Sequence, residues 1–256
     1  MGKKLILKSY NQISKLRESG KHLTTLLNMV REKTAPWVSL IELEEIAENY
    51  MKKYNLKWAF KGYMWFPANL CLSVNDCLVH WIPDDYVLKQ GDLLKVDCWV
   101  NYDGLITDSA FSVEVWVDGN SVWNQLINST KKALDNSLEL VHPDNYIYDY
   151  SLNIYKSMIN DGFSVIKNLT WHWVWLSVHE QPHIYNVPHP EAKKTRFQQN
   201  MVLALEPITA LESDNVKTKP WNNWNLYTEL WDIGAQREYT VVVNEKWVEI
   251  LSGLTD

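Results

Sequence analysis

The chain has 256 residues, 46% apolar and 22% charged, with a formal charge of −6. That is ordinary globular material for one large or two small domains, and its acidic balance argues against nucleic acid as the main partner. Three cysteines (Cys71, Cys77, Cys98) without metal-type spacing fit a reduced, cytoplasmic protein; the apolar run at the N-terminus is far too short for a signal peptide, and no stretch approaches the ~20 apolar residues of a membrane span.

Apolar positions from Ile13 to Val30 recur at helical spacing. A second helix starts at Ser39, where Ser39 and Glu42 read as a capping box. Ala68 to Ile82 reads as strand, interrupted at Asn75-Asp76, with His80 near its end before Pro83. Asp92 to Val115 is a hairpin, two apolar runs flanking Asp103-Gly104. With a four-residue loop, Asn101 to Gly104, Asp97 would face Asp108 directly across the ribbon. Like charges so placed repel and need a cation or a retained proton. A bound metal pair is one reading, and two exposed strand aspartates the other.

Val122 to Val141 and Ile147 to Ile159 predict a second pair of helices, and Phe163 to Leu169 a further strand. Two helices followed by strands therefore occur twice. This predicts an α+β chain with duplicated halves. The second half adds His172, His179, Glu206 near the end of an apolar strand and Glu238 at the head of another. A carboxylate in such a run is costly unless it is paired or metal-bound. Lys95 and Arg237 are the nearest basic partners. Four strand carboxylates and a histidine otherwise form a donor set suited to two divalent ions.

The chain resembles the type I methionine aminopeptidases over nearly its whole length. The matching text includes Phe-Lys-Gly-Tyr at 60–63, Ser-Val-Asn at 73–75, His-Trp-Ile-Pro-Asp-Asp at 80–85, Val-Asp at 96–97 and Thr-Asp-Ser-Ala at 107–110. Gly-Phe-Ser-Val at 162–165, His-Glu-Gln-Pro at 179–182, Leu-Glu-Pro at 205–207 and Gln-Arg-Glu at 236–238 continue it. The resemblance implies the pita-bread α/β (α+β) fold, one catalytic domain over 1–256 with pseudo-symmetric halves of about 1–118 and 119–256. It implies two divalent ions (Co, Mn, Fe, Zn or Mg) on Asp97, Asp108, His172, Glu206 and Glu238. Asp108 and Glu238 would bridge both ions. His80 and His179 would contact substrate and intermediate, while Tyr63, Phe66, Cys71 and Trp224 would line a methionine pocket. A metal-bridged hydroxide would attack the first peptide carbonyl, with Glu206 shuttling the proton. The implied substrate is the N-terminal methionine of nascent proteins, met at the ribosome, and the implied enzyme is a cytoplasmic monomer.

One departure runs through the chain, which has 14 Trp and only 9 Gly. Trp37, Trp65, Trp81, Trp99, Trp116, Trp171, Trp173, Trp175 and Trp247 stand where members of that family commonly have glycine. Trp224 is matched by tryptophan. A gene whose UGA codons mean glycine, translated as if they meant tryptophan, would give this pattern. If these tryptophans are real, a crowded site predicts an inactive pseudoenzyme or binding protein on the same scaffold. An X-Pro-type peptidase is the alternative within the fold. Tyr239 departs too, where the family usually has His.

Overall fold

The structure, a computed structural model, describes residues 7–116, 119, 121–173, 180–220 and 222–254, with side chains for all of these except 170–173, 180–183, 222 and 223. Helix α1 (Tyr10–Lys33) starts at Ser9, whose hydroxyl accepts from Gln12 N–H while Gln12 returns the bond. Helix α2 (Leu40–Lys53) starts with the expected Ser39–Glu42 box. Each box satisfies two of the donors that a helix start leaves open. The stripe Leu23, Leu26, Leu27 and Val30 on α1 meets Leu40, Leu43 and Ala47 on α2, and both cover Leu70, Leu72, Leu94 and Val96. Those residues belong to the antiparallel sheet β1–β3–β4, built from β1 (Leu70–Val74), β3 (Leu93–Tyr102) and β4 (Leu105–Glu114). Strand β2 (Cys77–Val79) leaves this layer and pairs with a strand of the second half.

That half repeats the order. Helices α3 (Val122–Ser137) and α4 (Ile147–Asn160) precede β5 (Ser164–Val165), β6 (Thr170–Trp173), β7 (Glu180–Tyr185), β8 (Val202–Leu205) and β9 (Ile208–Ala210). Strands β10 (Val216–Lys219), β11 (Asn222–Thr228), β12 (Gly234–Gln236), β13 (Tyr239–Val243) and β14 (Val248–Ser252) follow. The order β14–β13–β8–β6–β7 forms the largest sheet, and its Leu203, Leu205, Val241 and Val243 pack on Leu126, Leu134, Ile154 and Met158 of the helices. Among the described residues, no helix is long and apolar enough to cross a membrane.

Two sequence expectations need correction. In the hairpin β3–β4, Tyr102 pairs with Leu105, Trp99 with Asp108 and Asp97 with Ala110. The loop is therefore Asp103-Gly104 alone. Both residues take positive φ, 51° and 84°. Such a two-residue turn, with both φ values positive, matches the right-handed twist of its strands. Asp97 and Asp108 are thus diagonal rather than opposite, and still on one face. The predicted strand over Phe163 to Leu169 reduces to β5, because Lys167 N–H turns to Asp214 O and β6 begins separately.

The halves meet along β4. Asp108 N–H donates to Thr240 Oγ1 (2.9 Å), which donates back to Asp108 O (2.7 Å). Glu238 N–H donates to Ala110 O (2.9 Å). Ser112 Oγ donates to Gln236 O and accepts from Gln236 N–H, each at 2.8 Å. Every second residue of β4 thus faces every second residue of the chain from Gln236 to Thr240. Thr240→Val keeps the shape of the side chain and removes both of its bonds to buried Asp108 backbone groups. Urea unfolding should then show a loss of about 1–3 kcal/mol.

Candidate metal centre

The seam brings three carboxylates together. Oxygens of Asp97, Asp108 and Glu238 all lie within 4.8 Å of one another, and all three residues are buried. Asp97 and Asp108 come from facing strands of one hairpin, and Glu238 arrives through its bond to Ala110. Glu206 follows β8. The β8–β13 ladder pairs Leu205 with Tyr239, and one further step of that register sets Glu206 opposite Glu238. Glu206 is half-buried and accepts from Gln236 Nε2 at 3.1 Å. It stands beside the tight group of three rather than within it. His172 lies on β6, which runs along β8 with Trp173 opposite Leu203. Its side chain lies outside the described residues, as does all of His179.

Mutual repulsion and burial dominate the electrostatics. Burial pushes Asp97 up to about 7, opposed by its hydrogen bond with Asp108. Asp108 is held well above the carboxylate range by burial and then by the charges of Asp97 and Glu206. Glu238 is raised by burial and then by Asp108, Glu206 and Asp97, and Glu206 by burial and Asp97. The two basic residues nearest in sequence point to other groups: Lys95 Nζ donates to Asn75 O at 2.6 Å and Arg237 Nε to Tyr239 OH at 3.3 Å. Asp97 Oδ1 and Glu238 Oε1 are buried without a hydrogen-bond partner. Hard oxygen donors, gathered, buried and short of hydrogen-bond donors, fit a divalent cation, whose charge would replace the protons that the metal-free carboxylates retain.

An apolar wall adjoins the carboxylates. Cys71 pairs with Asp97 in the β1–β3 ladder and so shares its face. Its Sγ accepts from His80 N–H at 2.8 Å. Phe66, Cys71, Tyr63 and Trp224 belong to one cluster with Phe60, Ala68, Ile82, Ile106 and Ala204. The Trp224 ring lies edge-on to Phe66 at 5.3 Å and to His80 at 6.3 Å. All four residues expected to line a methionine pocket are therefore gathered in one apolar cluster, with His80 beside it.

Trp99 also belongs to this cluster, although sequence reading assigned it no pocket role. It is two residues beyond Asp97, hence on the same face, and directly opposite Asp108. Its ring packs 4.0 Å from Phe60 and edge-on to Tyr63 at 5.4 Å, centroid to centroid. Strand alternation was a sufficient signal for it. Thr240, Ser112 and Gln236, which position the carboxylates, carry no local signal.

The profile of metallopeptidase family M24 matches residues 14–245. A methionine aminopeptidase of Clostridium perfringens is 34% identical over 97% of this chain and 98% of its own. The crystal structure of a methionine aminopeptidase from Thermotoga maritima matches with a TM-score of 0.93 at 28% identity, covering 98% of this chain and 100% of that one. A prolidase from Pyrococcus furiosus shares the fold alone, with a TM-score of 0.77 at 17% identity over 98% of this chain and 66% of its own. The fold is the α+β pita-bread architecture that the sequence resemblance implied, and the chain belongs to metallopeptidase family M24, whose members depend on metal ions.

Proposed function

We propose that this protein removes the N-terminal methionine from nascent proteins, with two divalent ions held by Asp97, Asp108, His172, Glu206 and Glu238. The convergence of Asp97, Asp108 and Glu238 beside an apolar cluster of side chains is the observation that carries this reading. The relatives named methionine aminopeptidase support it along the full chain. Divalent ions in such a site polarise the scissile carbonyl and acidify a water. The chain's own residues supply the rest. Tyr63, Phe66, Cys71 and Trp224 form a soft apolar wall for a thioether side chain. His80, whose ring meets Trp224, orients the substrate from the pocket's border, and His179 steadies the charge that develops on the carbonyl oxygen. Glu206, half-buried with its proton affinity raised, takes a proton from the attacking water and passes it to the leaving amine. The enzyme works as a monomer in the cytoplasm, on chains emerging from the ribosome.

The direct test is release of methionine from a Met-Ala-Ser peptide. Release should require added Co, Mn, Fe, Zn or Mg, and should be lost on N-acetylation of the peptide. A folded, metal-loaded chain that releases none, even with Trp99 replaced by glycine, refutes the reading. The pocket geometry sets a second expectation. The Trp99 ring fills space against Phe60 and Tyr63, so Trp99→Gly should raise kcat/KM for methionyl substrates by about 10-fold or more.

Metal retention has a readout apart from activity. Asp97 titrates near its ordinary 3.8 when unfolded and at about 7 in the metal-free fold. The folded state therefore binds more protons in that window, and this group's contribution to stability is lost as pH rises from about 4 through about 7. A bound cation offsets that loss by favouring the charged carboxylate. The metal-free chain should lose Tm across this window relative to Asp97→Asn. Added divalent metal should raise the wild-type Tm increasingly with pH, and that of the variant much less. Parallel Tm profiles for the two chains would count against the assignment.

A further inference from the structure

Four tryptophans occupy backbone that tryptophan does not favour. Trp37 (φ 76°), Trp65 (71°), Trp116 (53°) and Trp231 (62°) all lie in the left-handed region. Non-glycine residues enter this region rarely, and those that do are mostly Asn, Asp and His, whose short polar side chains bond locally. Asn55, Asn75, Asp103, Asn200 and His80 fit that description. A bulky residue there is an outlier that needs a cause. Among the described residues, tryptophan accounts for as many such positions as Asn and Asp together.

The rings supply no such cause. Trp37, Trp65 and Trp116 are 82%, 93% and 74% exposed. An indole normally contributes through the large area it buries, and these bury little. Trp231 has ring neighbours, Lys217 Nζ at 3.5 Å and Tyr227 at 5.5 Å, but is itself half in solvent. The local turns point the same way. Val38 N–H donates to Ala35 O, so Ala35-Pro36-Trp37-Val38 is a turn with proline second and a positive φ third. That is a type II turn, whose third residue is characteristically glycine. Trp65 lies in the loop that Gly62 N–H closes onto Phe66 O, where Met64 is left-handed as well. Trp224 is the contrast. Its φ is not positive, it is half-buried, and its ring packs on Phe66.

We propose that positions 37, 65, 116 and 231 are glycine in the protein the cell makes, because the codons rendered there as tryptophan are read as glycine. The excess of Trp over Gly in the composition, 14 against 9, has the same origin. Trp81, Trp99 and Trp247 lack the φ signature and follow from the codon reading alone. The proposal does not rest on the peptidase activity, and its tests do not measure it.

The gene gives the first test: UGA is expected at the four positions and UGG at 224. The intact mass of the protein isolated from cells that carry the gene gives the second, with glycine expected at all four. UGG at these positions, or a mass that retains the four indoles, overturns the proposal. Backbone preference is tested in the chain as written, by thermal unfolding. Trp37→Gly and Trp65→Gly should each raise Tm by roughly 2–4 °C or more, whereas Trp37→Ala and Trp65→Ala, which lose the ring but keep a Cβ, should gain less. Equal or greater gains for alanine would mean that these positions impose no glycine requirement.

Discussion

The arrangement depends on placing like charges together in a dry site. Asp97 and Asp108 sit in the buried parts of β3 and β4, Glu238 sits just before β13, and burial raises the proton affinity of each. No fold adopts such a cluster for stability, because desolvation and repulsion both oppose it. The rest of the molecule holds these groups in place against that cost. Two helix pairs cover two separate apolar cores, and the strands lying over those cores carry the carboxylates. The site is assembled where the two sets of strands touch.

That contact is made by polar side chains of modest size. Thr240 and Ser112 each exchange two bonds with the backbone of the opposite half, and Glu238 N–H adds a bond between main chains. These bonds fix Glu238 relative to Asp108 to within the reach of one ion, a precision that apolar packing does not provide. The same seam fixes Glu206, since Gln236, held by Ser112, also donates to its carboxylate. A buried serine and threonine with no chemical role therefore help to set where Asp108, Glu206 and Glu238 stand. The proton shuttle proposed for Glu206 relies on this support, since the bond from Gln236 fixes its carboxylate beside the other three.

Much of this was legible in the sequence, for reasons that also explain what was not. The apolar stripes on α1 to α4 and the Ser39–Glu42 box are local signals, and the elements form where they predict. The hairpin loop was read as four residues and is two, which moves the register from Asp97 opposite Asp108 to Asp97 opposite Ala110. The offset is an even number of residues, so both aspartates stay on one face; a slip of one would have separated them. Strands β10 and β11 were not read because Lys217, Thr218 and Lys219 give no apolar alternation. The Thr240–Asp108 contact spans 132 residues, and periodicity carries no information at that range. The roles assigned to His172 and His179 come from the resemblance alone.

The tryptophans join the backbone to the site's chemistry. Trp224 meets each requirement of its position: an allowed φ, partial burial, and an edge turned to Phe66 and His80. Trp37, Trp65 and Trp116 meet none of them. Trp99 is an intermediate case, buried and well packed on Phe60, in a β-strand that tolerates its backbone. Its difficulty is where it stands, directly opposite Asp108 and on the pocket face of the ribbon. A glycine at 99 would leave β3 paired and the carboxylates in place, while opening the space between Phe60, Tyr63 and the centre that a methionine side chain would fill. A single change in how one codon is read thus relieves backbone strain at four surface turns and clears the pocket, without touching the residues that would hold the metal.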